Sequence, residues 1–247
     1  MKKNIFYSLL MLLLLPVVCC AKKTTIPIAG EVKASAYTPD IPVLNGLATN
    51  AIMRVNIFIP ADQVLQQYTS INCTINSSDI NDIAEIYLYQ TSAEPFSTNT
   101  PLATSKPSSA NFSVPLTLKL APGLHFIWLS VKLKNEASIN NQVELRAVNL
   151  VQSNGKKLII NQPTGNYGKL KGTVVRKAGD DNVNTYRIPG IVATHKGTLL
   201  SVYDIRYKNS ADLPGNRDVG LSRSIESGKT WQPMKIIMDM GAPHENN

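Results

Sequence analysis

The chain has 247 residues, with 25 Lys and Arg against 17 Asp and Glu and a formal net charge of +8 at pH 7. The basic residues are scattered among acids and form no stripe or cluster, which excludes the electrostatic footprint of a nucleic-acid-binding protein. The three histidines (His125, His195 and His244) stand far apart without ligand spacing, so neither a metal site nor a cofactor is expected.

Met1 to Ala21 carries two early lysines, an apolar run from Leu9 to Val18 broken at Pro16, and the small residues Cys19, Cys20 and Ala21. This is the pattern of a secretory signal peptide, too short for a membrane span. It predicts a secreted or periplasmic protein. Cleavage after Ala21 lowers the net charge to +6 by removing Lys2 and Lys3. The alternative is lipidation at Cys19 or Cys20, which would make an outer-membrane lipoprotein and is the one route to membrane contact; Val18 before Cys19 fits a lipoprotein signal poorly. After cleavage one cysteine remains, Cys73, on the apolar face of Ile71 to Asn76, where it reads as a buried free thiol.

Residues 25–165 read as an all-β domain. Ala51 to Ile59 alternates, with Ala51, Met53, Val55, Ile57 and Ile59 on one face and Arg54 and Asn56 on the other. Ile83 to Gln90, Leu124 to Lys134 and Gln142 to Val151 behave alike, and Asn154-Gly155 turns the chain into Lys157 to Ile160. About seven strands predict an antiparallel β-sandwich with its own core. Thr91 to Pro115, rich in Ser, Thr, Asn and Pro, reads as a long surface excursion. Trp128, Tyr87 and Tyr89 read as cross-strand packing pairs or, alternatively, as stacking platforms for sugar. Gln162 to Lys177, with Pro163 and three glycines, reads as a connector.

From residue 176 onward the pattern changes. Thr185 to Ala193 and Thr198 to Ile205 are strands around the turn His195-Lys196-Gly197; Lys208 to Asn216 is a polar loop; Asp218 to Arg223 and Gln232 to Met238 are two more strands. Four short antiparallel strands fit one blade of a radial β-propeller. Three motifs punctuate them: Tyr186-Arg187-Ile188-Pro189; Asp204-Ile205-Arg206-Tyr207 with Asp212 six residues beyond Arg206; and Ser224-Ile225-Glu226-Ser227-Gly228-Lys229-Thr230-Trp231. Each has a plain structural reading. Arg187 suits a strand edge beside Pro189. Asp204 and Arg206, two apart on one strand face, suit an intrastrand ion pair. Asp212 suits a solvated loop.

In this order the motifs resemble the opening of a sialidase (neuraminidase) propeller: an aromatic-Arg-Ile-Pro motif, an arginine followed by a loop aspartate, and an Asp-box. A β-sandwich directly before the propeller resembles sialidases of Bacteroides-type bacteria. The resemblance implies an all-β chain, an N-terminal antiparallel β-sandwich followed over 176–247 by the first blade of a six-bladed propeller that is incomplete here. It implies an exo-α-sialidase acting with retention on sialylated glycoproteins, glycolipids or oligosaccharides. The alternative is a non-catalytic glycan-binding propeller. By resemblance Arg187 is the first carboxylate-binding arginine, Arg206 contacts the sugar away from its carboxylate, and Asp212 is the general acid and base. The nucleophilic tyrosine, its glutamate and two further arginines come late in such proteins, so this chain is expected to be inactive alone; Tyr186, Tyr203 and Tyr207 belong to the strand motifs. Glu226 departs from the Asp-box aspartate, whose acid bonds to amides of its own turn, and an extra methylene is expected to loosen that turn.

Overall fold

The computed structural model describes residues 30–75, 80–91, 100–165, 167–212 and 215–241. Residues 1–29, with Cys19 and Cys20, and His244 lie outside the described residues. Nine strands form one wrapped sheet: β1 (Lys33–Tyr37), β3 (Asn50–Ile59), β4 (Gln66–Ile75), β5 (Ile83–Thr91), β6 (Ala103–Ser105), β7 (Asn111–Leu120), β8 (Gly123–Leu133), β10 (Leu145–Gln152) and β11 (Lys157–Asn161), in the order β6-β5-β8-β3-β1-β11-β10-β4-β7. The two halves face each other as the layers of a sandwich, and the end strands β6 and β7 approach, so the sheet nearly closes into a barrel. Every pairing in it is antiparallel except β1 with β11, the parallel seam that joins the layers. Side-chain alternation is the same for both pairing directions, so the parallel seam could not be read from it.

The interior is built by alternation. Val55, Ile57, Ile59, Ile71, Ile86, Leu88, Leu118, Leu120, Ile127 and Leu129 are buried between the layers. Cys73 is buried among them as a free thiol, with its ionisation pushed up to about 12 by burial. On β3 the expected inward face holds from Met53 onward, but a bulge between Ala51 and Met53 turns Ile52 inward and leaves Ala51 half out. One extra residue moves a side chain to the opposite face. The expected excursion over Thr91 to Pro115 contains β6 and the first half of β7; residues 92–99 lie outside the described set. Pro115 sits within β7, a strand paired on one side with β4, where a missing N–H costs no ladder bond on its open edge. Tyr89 and Trp128 face each other across β5 and β8 and are buried, the packing arrangement. Arg54, opposite both Tyr37 and Trp128, stacks on the rings of Tyr37, Phe126 and Trp128 at 4.7 to 5.5 Å.

A second, three-stranded sheet joins β2 (Val43–Asn45), β12 (Lys169–Thr173) and β9 (Gln142–Val143). The run Gln142 to Val151 is therefore split, because at Glu144 the chain passes from this sheet into β10. Strand β12 lies inside the stretch expected to be a connector. Its pattern is inverted: Lys169 and Lys171 are buried while Leu170 is 66% exposed. Both lysines are satisfied, Lys169 by the Pro39 carbonyl and Lys171 by Asp82, which also accepts from the Ser138 amide.

The last sheet is β13 (Thr185–Ala193), β14 (Leu199–Arg206), β15 (Arg217–Ser224) and β16 (Lys235–Met238), four antiparallel strands in sequence order. Tyr203 and Ile205 fill a small core with Val183. Gly220 is required there by space, since a Cβ at that position would stand 2.6 Å from the Tyr203 ring. At the far end of β15, the turn around Glu226 meets Asn45, Thr173 and the loop 135–140 across a cavity of about 350 Å³.

The Lys171–Asp82 pair is the main polar fastening between the small sheet and the sandwich, and its lysine side chain is 1% exposed. Removing one partner leaves a buried charge without compensation, so Lys171→Ala should cost about 3 kcal/mol. Equilibrium urea unfolding followed by tryptophan fluorescence checks this; a loss below about 1 kcal/mol would show that the carboxylate finds water instead.

Candidate active site

The strand register builds the site. Arg187 on β13 stands opposite Asp204 on β14, and Arg206 on β14 stands opposite Arg217 on β15. Directly opposed residues share a face, as do residues two apart, so all four side chains rise from one side of the sheet. They surround the loop carrying Asp212.

Beside Arg187 the ladder is interrupted. Between Arg187 and Gly190, β13 holds one more residue than β14, and Ile188 takes φ +53°. A β-branched residue in the left-handed region is strained, and bulges of this kind re-aim neighbouring side chains. Pro189, which has no N–H to leave unpaired, follows within the bulge. The Arg187 side chain is 43% exposed, and its Nη1 donates to the Ser210 carbonyl at 3.0 Å and to Asp212 Oδ1 at 3.3 Å.

Arg206 is different in kind. Its side chain is 3% exposed; Nη2 donates to Asp204 Oδ2 at 3.0 Å, and Nη1 reaches Asp212 Oδ1 at 2.8 Å and the carbonyls of Ser210 and Ala211 at 2.8 and 2.7 Å. Burial pulls the guanidinium's affinity for its proton down, but Asp204 and Asp212 outweigh this and raise it. The intrastrand pair expected from spacing is present, and the same guanidinium also grips the loop. Arg206 therefore acts through the loop.

Arg217, which motif reading did not single out, donates from Nη2 to the Ala211 carbonyl at 3.0 Å. Two arginines directly opposed would repel; here carbonyls and carboxylates lie between them. The signal was available as the mirror position of Arg206 across the hairpin, but it depends on knowing the register. Asp212 itself is 74% exposed, and its carboxyl is held below the usual carboxylate range by its bond to Arg206, by the nearby charge of Arg187 and, more weakly, by Arg217.

The tyrosines of the strand motifs are otherwise engaged. Tyr186 donates to the Asp180 carbonyl and to Asp181, and burial raises its ionisation. Tyr207 donates to Asp218 at 2.7 Å and is pushed up to about 12 by burial and that bond. Tyr203 bonds Ser222 at 2.6 Å in the interior. None is set up as an accessible nucleophile.

The Glu226 turn closes at the opposite end of β15, roughly 23 Å along the strand from Arg217. Ser224 Oγ accepts from the amides of Glu226 and Gly228, and Glu226 Oε2 accepts from the Thr230 hydroxyl at 2.6 Å. Ser227 and Gly228 take φ of +55° and +84°. The longer acid thus bonds a hydroxyl within its own turn while a serine takes the amides.

The chain is thus an all-β protein in which a wrapped sandwich is followed by a sheet that presents arginines around a loop carboxylate. Comparison with known proteins agrees. Residues 29–157 match the family described as the N-terminal domain of BNR-repeat neuraminidase, and the chain belongs to that family. It is 43% identical over 124 residues to a sialidase of Bacteroides fragilis (strain YCH46), a match covering 50% of this chain and 23% of that protein. Among solved structures it is similar to Hadza microbial sialidase Hz136, with a TM-score of 0.68 at 28% identity over 83% of this chain and 44% of the other. The chain thus spans less than half the length of these relatives.

Because Arg206 is buried and grips both Asp204 and the loop, Arg206→Met should cost about 3 kcal/mol and free the loop backbone. Amide exchange at residues 208–212 should rise most. In the unsubstituted protein the Asp212 contacts form above the carboxylate's ordinary titration and persist below it, being lost as pH falls through its depressed folded value. The Asp212 carboxyl, followed by NMR, should therefore titrate below the ordinary carboxylate range, while the loop, held through its carbonyls by Arg206 and Arg217, keeps its exchange protection; a midpoint at the ordinary carboxylate value would mean that the arginines do not hold the acid.

Proposed function

We propose that this chain is the N-terminal part of a retaining exo-α-sialidase that releases terminal sialic acid from glycoproteins, glycolipids or oligosaccharides. The observation that carries the reading is the convergence of Arg187, Arg206 and Asp212, in that chain order, on one side of one sheet. Sialic acid carries a carboxylate on its anomeric carbon, and a planar arginine fork pairs with such an anion in a way that a lysine does not. Arg187 is the exposed, re-aimed arginine and would take that carboxylate. Asp212, exposed at the loop tip, would protonate the leaving oxygen and then deprotonate the attacking water. Arg206 and Arg217 would hold the loop in place. Charge repulsion between two carboxylates favours a phenol nucleophile in such a mechanism, as is general for sialidases.

The four-stranded sheet is read as the first propeller blade. It exposes Ile191, Val192, Val202, Ile236, Ile237 and Met238, as a sheet made for neighbours would. A leader at Met1 to Ala21 supports a secreted or periplasmic setting, with membrane attachment through Cys19 or Cys20 as the alternative. Among the described residues no helix is long and apolar enough to cross a membrane.

In the whole protein, Asp212→Ala should reduce turnover severely, roughly 10² to 10⁴-fold, for sialosides with poor leaving groups, and much less for activated aryl sialosides. Equal losses on both would sink the acid role. Arg187→Lys should weaken binding of sialic acid strongly yet leave its methyl ester unaffected, since a single point contact replaces the fork. Calorimetric titration of both ligands decides this.

A further inference from the structure

The site contains a contradiction that the geometry resolves. A general acid must carry a proton, whereas Asp212 is held as a carboxylate by the cations around it. Those cations are not equivalent. Arg206 is buried and committed to Asp204 and two loop carbonyls, and Arg217 reaches the loop through the Ala211 carbonyl. Arg187 is the half-exposed one, and its contact with Asp212, at 3.3 Å between two solvent-facing side chains, is the longest of the set. Exposed ion pairs contribute little and exchange easily.

Resting on the reading of Arg187 as the carboxylate ligand, we propose that Arg187 serves two carboxylates in turn: it pairs with Asp212 in the empty site and transfers to the ligand's carboxylate in the occupied one. Ligand capture is thereby coupled to proton uptake at Asp212. The exchange balances in charge. The incoming carboxylate takes the guanidinium from Asp212, and Asp212, left with Arg206 and the more distant Arg217, holds its proton to a higher pH than before. An anionic sugar raises the Asp212 midpoint, and a neutral sugar leaves it where it was. The charged groups facing Asp212 are Arg187 from β13, Arg206 with its partner Asp204 from β14, and Arg217 from β15. The backbone supports the exchange: the bulge at Ile188 and Pro189 frees Arg187 from strict strand geometry, while the carbonyl bonds of Arg206 and Arg217 keep the loop in place after Arg187 leaves.

The test is a pH titration of the Asp212 side-chain carboxyl by NMR in the whole protein labelled with ¹³C at aspartate. It is run empty, with saturating N-acetylneuraminic acid, and with the methyl ester of that acid. In the empty protein Arg187→Met should shift the Asp212 midpoint upward, while Arg187→Lys, which keeps the charge and is the milder change, should leave it low. The acid should shift the midpoint upward in the unsubstituted chain and produce no further shift in Arg187→Met; the ester should produce none. An unchanged midpoint in folded Arg187→Met overturns the proposal. So does a bound acid, seen at the Arg187 guanidinium resonance, that leaves Asp212 where it was, and this result would leave the sialidase reading standing. If the Arg187 resonance does not respond to the acid at any concentration, the proposal falls together with the role of Arg187 in the proposed function.

Discussion

A guanidinium with 3% of its side chain exposed has to be compensated where it sits, and the compensation of Arg206 organises the site. Asp204 on the same strand supplies one carboxylate, and the rest comes from the loop after β14, through the carbonyls of Ser210 and Ala211 and through Asp212. The loop is held by its backbone, so the acid at its tip can remain largely in solvent and still be placed to within hydrogen-bonding distance. The arrangement separates two tasks that a single arginine could not perform together. A buried cation fixes position, and an exposed one keeps its guanidinium at the surface.

The same sheet separates its two ends. Strand β15 begins at Arg217 beside the acid loop and finishes at Ser224, where the Glu226 turn packs near the loop 135–140 of the sandwich and the strands carrying Asn45 and Thr173. One end carries the cluster of arginines around Asp212, the other attachment. The substitution of glutamate for aspartate falls at the attachment end. There a serine caps the turn's amides and the longer acid reaches Thr230, so the extra methylene is accommodated without disturbing the arginines.

Attachment also depends on polar groups in the interior. Strand β12 turns Lys169 and Lys171 inward and Leu170 outward, against the rule that apolar residues face the core. Each lysine carries a long apolar stem and finds an acceptor at its tip, a carbonyl in one case and Asp82 in the other. Such a strand carries only a short alternation, in the reversed sense, among Pro163 and three glycines, and for that reason the stretch reads as a connector in sequence.

What the sequence determined by itself is local. Alternation marked most of the sandwich strands, the Asn154-Gly155 turn and the burial of Cys73, because a period of two is written directly into residue order. The resemblance of the Arg187, Arg206 and Asp212 motifs to a sialidase propeller picked out the candidate site, whereas their spacing alone also allowed an intrastrand ion pair and a solvated loop. Tertiary structure decided everything that depends on which strands lie side by side. The parallel seam of β1 and β11, the placement of β6 and β7, the lysine-lined β12 and the bulge at Ile52 are consequences of pairing, and pairing leaves little trace in the alternation of one strand. The clearest case is Arg217. In the sequence it is one basic residue in a polar stretch; in the fold, register sets it opposite Arg206 and its guanidinium within 3.0 Å of the Ala211 carbonyl. Long-range register is fixed by burying both sheets' side chains at once, a condition that no short window of residues contains.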